Sequence, residues 1–368
     1  MKYIDEYRDR DISAELVRRI TALKGEIPHP VKIMEICGTH TVSISKSGIR
    51  QLLPDDIQII SGPGCPVCVT PLGEVDAAID LASRQEVILT TYGDMVRVPG
   101  TASSLQELKA SGSDIRVVYS SLDALEIAEK NPERQVVFLA VGFETTAPAS
   151  ALAIHKARAR GIGNFSVLCL HKVIPPALQA LLPENANRID GFICPGHVSV
   201  IIGAQAYECL ARAGKAAVVT GFEPLDILEG LWMIMRQVRE HEPKVEIQYA
   251  RVVTWEGNRT AQREMERAFE TCTASWRGLG EIPESGLRIR EEFRAYDAAA
   301  RFGVTVEHKA DPPGCSCGDI LRGMMAPREC ALFGTACSPA HPVGPCMVSS
   351  EGACAAHYKY SQRKGTRQ

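Results

Sequence analysis

The sequence has no excess of positive charge, no long apolar run and no nucleotide or hydrolase loop, and each absence removes a class of function. Lys and Arg number 41 against 44 Asp and Glu, a formal net charge of -3, so the basic stripe typical of nucleic-acid binders is missing. No apolar stretch approaches the ~18 residues of a membrane span, and the opening MKYIDEYRDR holds no apolar signal core. Neither a Walker loop, a GxGxxG fingerprint nor a GxSxG elbow occurs, so nucleotide-driven and hydrolytic chemistry have no support. A cytoplasmic protein with no nucleic-acid or membrane partner is expected.

What is present is an ordinary globular composition with an unusual load of thiols. The 368 residues are 45% hydrophobic and 23% charged, enough for two or three domains with real cores. Thirteen cysteines are present, six of them between Cys315 and Cys354. In a reducing compartment that density points to metal ligation or redox exchange rather than structural disulfides.

Ile12, Leu16, Ile20 and Leu23 have helical spacing, which predicts a helix within 1–24 packed on a later domain. Short apolar runs then recur at 31–36, 57–60, 87–91, 115–119, 136–141, 165–170, 191–194 and 217–220, most followed by a helical segment. Runs of this kind are strands buried on both faces, so the fold class is α/β with parallel sheets. Seven of the eight runs end in reactive groups, at the edge where open α/β sheets bind ligands. Gly-Phe-Glu occurs at 142–144 and 221–223, and Ile-Cys with a following Gly and His at 36–40 and 193–197. Two related α/β halves, 25–127 and 128–235, facing a cleft would account for the echo. After Asp226 the pattern turns helical, 242–310 is charged and mixed, and the tail from 311 is rich in Gly, Pro and Cys. A third domain over 236–368, with the helix of 1–24 packed on it, is expected.

Within that frame, each candidate residue has a functional and a structural reading. Cys37 in Cys37-Gly38-Thr39-His40 sits at a strand end near a helix start, where it is a nucleophile or soft metal ligand, or else a buried structural thiol. The turn Gly62-Pro63-Gly64 delivers Cys65 and Cys68 three positions apart; with no second knuckle nearby, redox exchange is favoured over half a zinc site. Glu144, Glu223 and Asp94 each follow a strand and a Gly, as acid/base groups or as helix caps and partners of Arg97 or Lys172. His197 after Pro195-Gly196 reads as a turn residue pointed at a ligand, while His171-Lys172 reads equally as a solvated corner. Cys169, Cys194, Cys209 and Cys272 read as buried inert thiols. In the tail, Cys315, Cys317, Cys330, Cys337, Cys346 and Cys354 lack the paired C-x-x-C of zinc ribbons; irregular loops with four thiolates suit an iron-sulfur cluster, with zinc and a structural set as alternatives.

Together these motifs resemble the HypD family of nickel-iron hydrogenase maturation proteins. The resemblance rests on residues 37–40, Gly62 to Cys68, Gly93-Asp94-Met95-Val96-Arg97-Val98-Pro99, Gly142-Phe143-Glu144-Thr145-Thr146, Pro195-Gly196-His197-Val198-Ser199 and the tail through 344–354, in order along nearly the whole chain. It implies two α/β domains and a third carrying a 4Fe-4S cluster. It also implies a scaffold, monomeric within a hetero-complex, that with the chaperone HypC holds iron while cyanide, arriving from HypE, and carbon monoxide are attached. Cys37 then resembles the iron ligand shared with the partner, with His40 nearby. By similarity to ferredoxin:thioredoxin reductase, Cys315, Cys330, Cys337 and Cys354 hold the cluster, and Cys317 with Cys346 form the redox pair. The alternative is an iron-sulfur protein disulfide reductase using Cys65 and Cys68. On the scaffold reading those two belong to a thiol relay that passes electrons toward iron at Cys37.

Overall fold

The computed structural model describes residues 5–185 and 189–360. All eight apolar runs are strands: β1 (Val31–Glu35), β2 (Ile57–Ser61), β3 (Val87–Thr91), β4 (Ile115–Val117), β5 (Gln135–Ala140), β6 (Phe165–Cys169), β7 (Gly191–Pro195) and β8 (Ala216–Thr220). β3, β7 and β8 are buried at every position, which is why they read as continuous apolar runs rather than alternating ones. The charged stretch 242–310 hides three further strands: β9 (Val245–Ile247), which joins β8, and the antiparallel hairpin of β10 (Phe269–Trp276) and β11 (Gly280–Ile289).

The strands form two parallel sheets, in the orders β2-β1-β7-β8-β9 and β4-β3-β5-β6. The α/β class is as expected, but the sheets do not follow the halves 25–127 and 128–235. β1 takes β7 as its second neighbour, Ile33 opposite Gly191, and β3 to β6 form the other sheet between them in sequence. A buried apolar run does not encode which open edge it will fill; packing decides that. The echo at 36–40 and 193–197 therefore lies at the ends of adjacent strands in one sheet.

Asp9 caps the first helix, Arg10–Gly25, by accepting the N–H groups of Asp11 and Ile12. Ile20 and Leu23 are buried, Ile12 is 51% exposed, and the helix packs on the helix Pro224–Glu240. It thus covers the first sheet, not the cysteine-rich tail. Pro224 at the first position starts that second helix, which buries Leu228, Leu231 and Met235. The tail is built of short helices, Cys317–Leu321, Pro345–Val348 and Ala353–Tyr360. Two of them dock on the loops after β1 and β2: Ala353–Tyr360 on the helix Gly38–Ser47, and Pro345–Val348 on the helix Pro66–Val69.

The hairpin extends β6. Val173 N–H donates to Ser285 O at 2.9 Å and Leu287 N–H to His171 O at 3.1 Å. Lys172, in what reads as a solvated corner, is buried instead, its ammonium 3.0 Å from Glu74. Breaking one member of such a pair strands the other charge. Lys172→Met should cost about 3–5 kcal/mol in urea unfolding, and adding Glu74→Leu should recover most of it.

Candidate metal and thiol centre

The carboxyl ends of β1, β2, β3, β4, β5 and β7 open into one cavity of about 840 Å³, lined by Cys37, Val67, Asp94, Tyr119, Thr145, His197 and Glu351 among others. Six strand ends thus converge where a ligand site in open α/β sheets is found.

Cys37 lies two residues beyond β1, at the N-cap of the helix Gly38–Ser47, 7% exposed. Its N–H donates to Glu35 Oε2 at 3.2 Å, and Thr41 Oγ1 donates to Glu35 Oε1 at 2.5 Å. Gly64 lies directly on this backbone: a Cβ there would collide with Cys37 N and Cα, and Gly38 N–H donates to Gly64 O at 2.9 Å. Glycine is required because the two strand-end loops touch main chain to main chain. Burial, then the nearby Glu351, pushes the Cys37 thiol up to about 12. The sulfur is therefore protonated until a metal or base takes its proton. Burial likewise pushes Glu35 up to about 7.

The structure places the other predicted residues unevenly. His197 lines the cavity, and its ring stacks on Phe222 with centroids 3.9 Å apart. His40 stacks on Phe222 from the other side at 4.6 Å, fully buried, with Nε2 2.8 Å from Gly221 O. Three positions beyond Cys37, it faces the end of β8 and is absent from the cavity wall; burial lowers it to about 4. Glu144 is buried behind the wall. Its Oε1 accepts Ile174 N–H at 2.8 Å, its Oε2 has no partner among the described residues, and burial raises it to about 7. Glu223 stands at a helix N-cap and pairs with Arg8 at 2.7 Å. Of the cysteines read as buried and inert, Cys194 is buried, whereas Cys169, Cys209 and Cys272 are half-buried; desolvation raises all four thiols.

Cys65 and Cys68 are joined as a disulfide with Cα atoms 5.2 Å apart, Pro66 opening the helix between them. Both are buried, at 4% and 0% exposure, because the tail closes over them. Asp94, unpaired with Arg97, accepts from the Ser349 hydroxyl at 2.9 Å and from the Ser350 N–H and hydroxyl at 3.0 Å each. Arg97 donates to Val348 O at 3.2 Å, and Thr39 Oγ1 to Glu351 Oε1 at 2.5 Å. Thr39, Ser349 and Glu351 give no signal of their own along the chain, where they are polar residues in motifs dominated by cysteine.

All six tail cysteines line one small pocket, with Ile320, Leu332, Phe333 and Met347 as its other walls. Cys317 and Cys346 have their sulfurs 2.6 Å apart. Val343 N–H donates to Cys337 Sγ at 3.4 Å, and a Cβ at Gly344 would come 2.7 Å from Cys315 Sγ. Soft sulfur donors in an apolar wall fit an iron-sulfur cluster in their chemistry. Among the described residues, no group of three or more His, Cys, Asp or Glu is already arranged to hold a metal ion.

The family model for HypD, described as the hydrogenase formation hypA family, matches residues 11–361. The chain is 51% identical over 371 residues to the hydrogenase maturation factor HypD of Rhizobium leguminosarum bv. viciae, covering 98% of this chain and 96% of that one. It is 47% identical to HypD of Cupriavidus necator, with 99% and 98% covered, and 44% identical to HypD of Escherichia coli K12, with 99% of each covered.

The buried Glu144 makes stability depend on pH. The folded carboxyl keeps its proton up to about 7, the unfolded one only to 4.5, so the folded state binds more protons between these values and stability falls as pH rises through them. Relative to Glu144→Gln, the wild type should lose about 3 kcal/mol between pH 4 and pH 8 in urea unfolding.

Proposed function

The chain belongs to the HypD family of hydrogenase maturation factors, and from that premise we propose that it is an assembly scaffold for the iron of the nickel-iron hydrogenase active site. Iron is the cargo, held at Cys37 together with a HypC-type chaperone in the cytoplasm while cyanide, delivered by a HypE-type partner, and carbon monoxide are attached. One observation carries this reading: a buried thiol, Cys37, on a cavity large enough for a bound complex, with a disulfide and a six-cysteine pocket closed behind it.

The chain's own residues have separable tasks. Cys37 gives up its proton to bind iron as a thiolate, a soft ligand suited to low-spin iron with strong-field ligands. His197 and Glu351 border the space beside it. Cys315, Cys330, Cys337 and Cys354 would hold a 4Fe-4S cluster, which when bound supplies single electrons. Cys317 and Cys346 exchange as a dithiol pair, and Cys346 lies on the helix that packs against Pro66–Val69. That packing sets the helix of Cys346 against the helix of Cys68, the route by which electrons would pass. No turnover on a free substrate is required.

The alternative, a reductase of disulfides in other proteins, needs an exposed nucleophilic sulfur. Cys65 and Cys68 are shut beneath the tail instead. Across the described residues, no helix is long and apolar enough to cross a membrane.

Infrared spectra of the chain co-purified anaerobically with its small chaperone, after expression with the whole maturation set, should show cyanide and carbonyl stretching bands; their absence sinks the scaffold reading. Cys37→Ala should remove those bands yet leave the cluster's visible absorption. Iron and sulfide analysis should find about four irons per chain for a cubane cluster. Cys330→Ala should lose them and Cys317→Ala keep them, and the reverse result would exchange the roles of ligands and redox pair.

A further inference from the structure

The disulfide of Cys65 and Cys68 is sealed from solvent. Opening it consumes two electrons and two protons, and a thiolate left bare in so dry a place is strongly disfavoured. Protons must therefore reach the sulfur through the protein.

A short polar chain leads there. Asp94 stands on the wall of the open cavity. Its Oδ2 accepts from the Ser349 hydroxyl at 2.9 Å, and Ser349 Oγ lies 3.5 Å from Cys65 Sγ. Ser349 Oγ also accepts Glu351 N–H at 3.2 Å, which fixes its orientation. On the far side of the sulfur, Cys68 N–H lies 3.2 Å from Cys65 Sγ, and a donor placed there favours Cys65 as the sulfur that carries charge when the bond breaks. Ser350 binds the same carboxylate oxygen through its own hydroxyl, 3.0 Å away; of the two serines, Ser349 is the one against the disulfide. The charged neighbours of Asp94 are Glu351 in the tail and Arg97 one turn on, which donates to Val348 O.

We propose that Asp94 and Ser349 form the proton path between the cavity and Cys65 Sγ. The inference rests on the reading that Cys65 and Cys68 cycle between disulfide and dithiol. A thiolate of the reduced Cys317 and Cys346 pair, Cys346 being on the helix packed against Pro66–Val69, attacks Cys68 Sγ, the bond to Cys65 breaks, and Cys65 leaves as a thiolate. It takes the proton of the Ser349 hydroxyl while Ser349 takes one from Asp94, which is reprotonated from the cavity. The second thiol of that pair then displaces Cys68, which leaves as the second thiol with the pair's remaining proton. The net change is one dithiol oxidised and one disulfide reduced.

The test uses the full chain, air-oxidised and then reduced by dithiothreitol, with timed alkylation and mass spectrometry at Cys65 and Cys68. Ser349→Ala and Asp94→Asn should slow reduction by about a hundredfold, the lower end for loss of a positioned proton donor. Ser350→Ala should match the wild type, and Ser349→Thr, which keeps a hydroxyl, should restore the rate. Equal slowing by both serine-to-alanine changes, slowing by neither, or no disulfide in the oxidised chain overturns the path. The assay needs no iron cargo, so loss of the infrared bands and failure of this kinetic contrast are distinguishable outcomes.

Discussion

A single carboxylate oxygen of Asp94 gathers the Ser349 hydroxyl and both polar groups of Ser350, and this fastens the cysteine-rich tail to the loop after β3. The consequences spread outward. With the tail in place, Thr39 reaches Glu351, the helix Pro345–Val348 lies on the disulfide helix, and the thiols of both regions become buried. Without this contact the tail, which has little regular structure and a pocket wall made largely of sulfur, would have few polar anchors on the sheets.

The other constraint is steric. The loops after β1 and β2 meet main chain to main chain at Gly64 and Cys37, so the reactive thiol and the disulfide turn are held at a separation that side chains could not set. Burial then fixes the chemistry of the groups enclosed. Cys37 is protonated at rest, and Glu35 and Glu144 hold their protons near neutrality. A centre built this way is inert until something enters the cavity to take the place of water.

Much of this is legible in the residues, and what is not has a common cause. The eight buried strands announce themselves because their runs are largely apolar, and Cys37, Cys65, Cys68 and His197 because each stands in a Gly- or Pro-marked turn after a strand. β9 and the hairpin do not, since β11 mixes exposed and buried positions without a period of two in a charged stretch. Sheet membership is hidden as well: nothing local in 31–36 names 191–195 as its neighbour. His40 looks like a partner of Cys37 by spacing, but spacing carries no direction, and its ring turns to Phe222. The same holds for Lys172, whose partner Glu74 lies far away in sequence.

The interleaved sheet order also sets a schedule for the chain as it is made. β3 to β6 lie together in sequence between residues 87 and 169 and make up one sheet, which Asp297 and the hairpin join later at β6, so that sheet can assemble as soon as its last strand is available. β1 and β2, though made first, have an open edge until β7 arrives, and pairing at such long range is the slow kind. During that interval the loop bearing Cys37 is neither walled by β7 nor covered by the tail. Cys37 is thus the first cysteine of the chain to be synthesised and among the last to be enclosed.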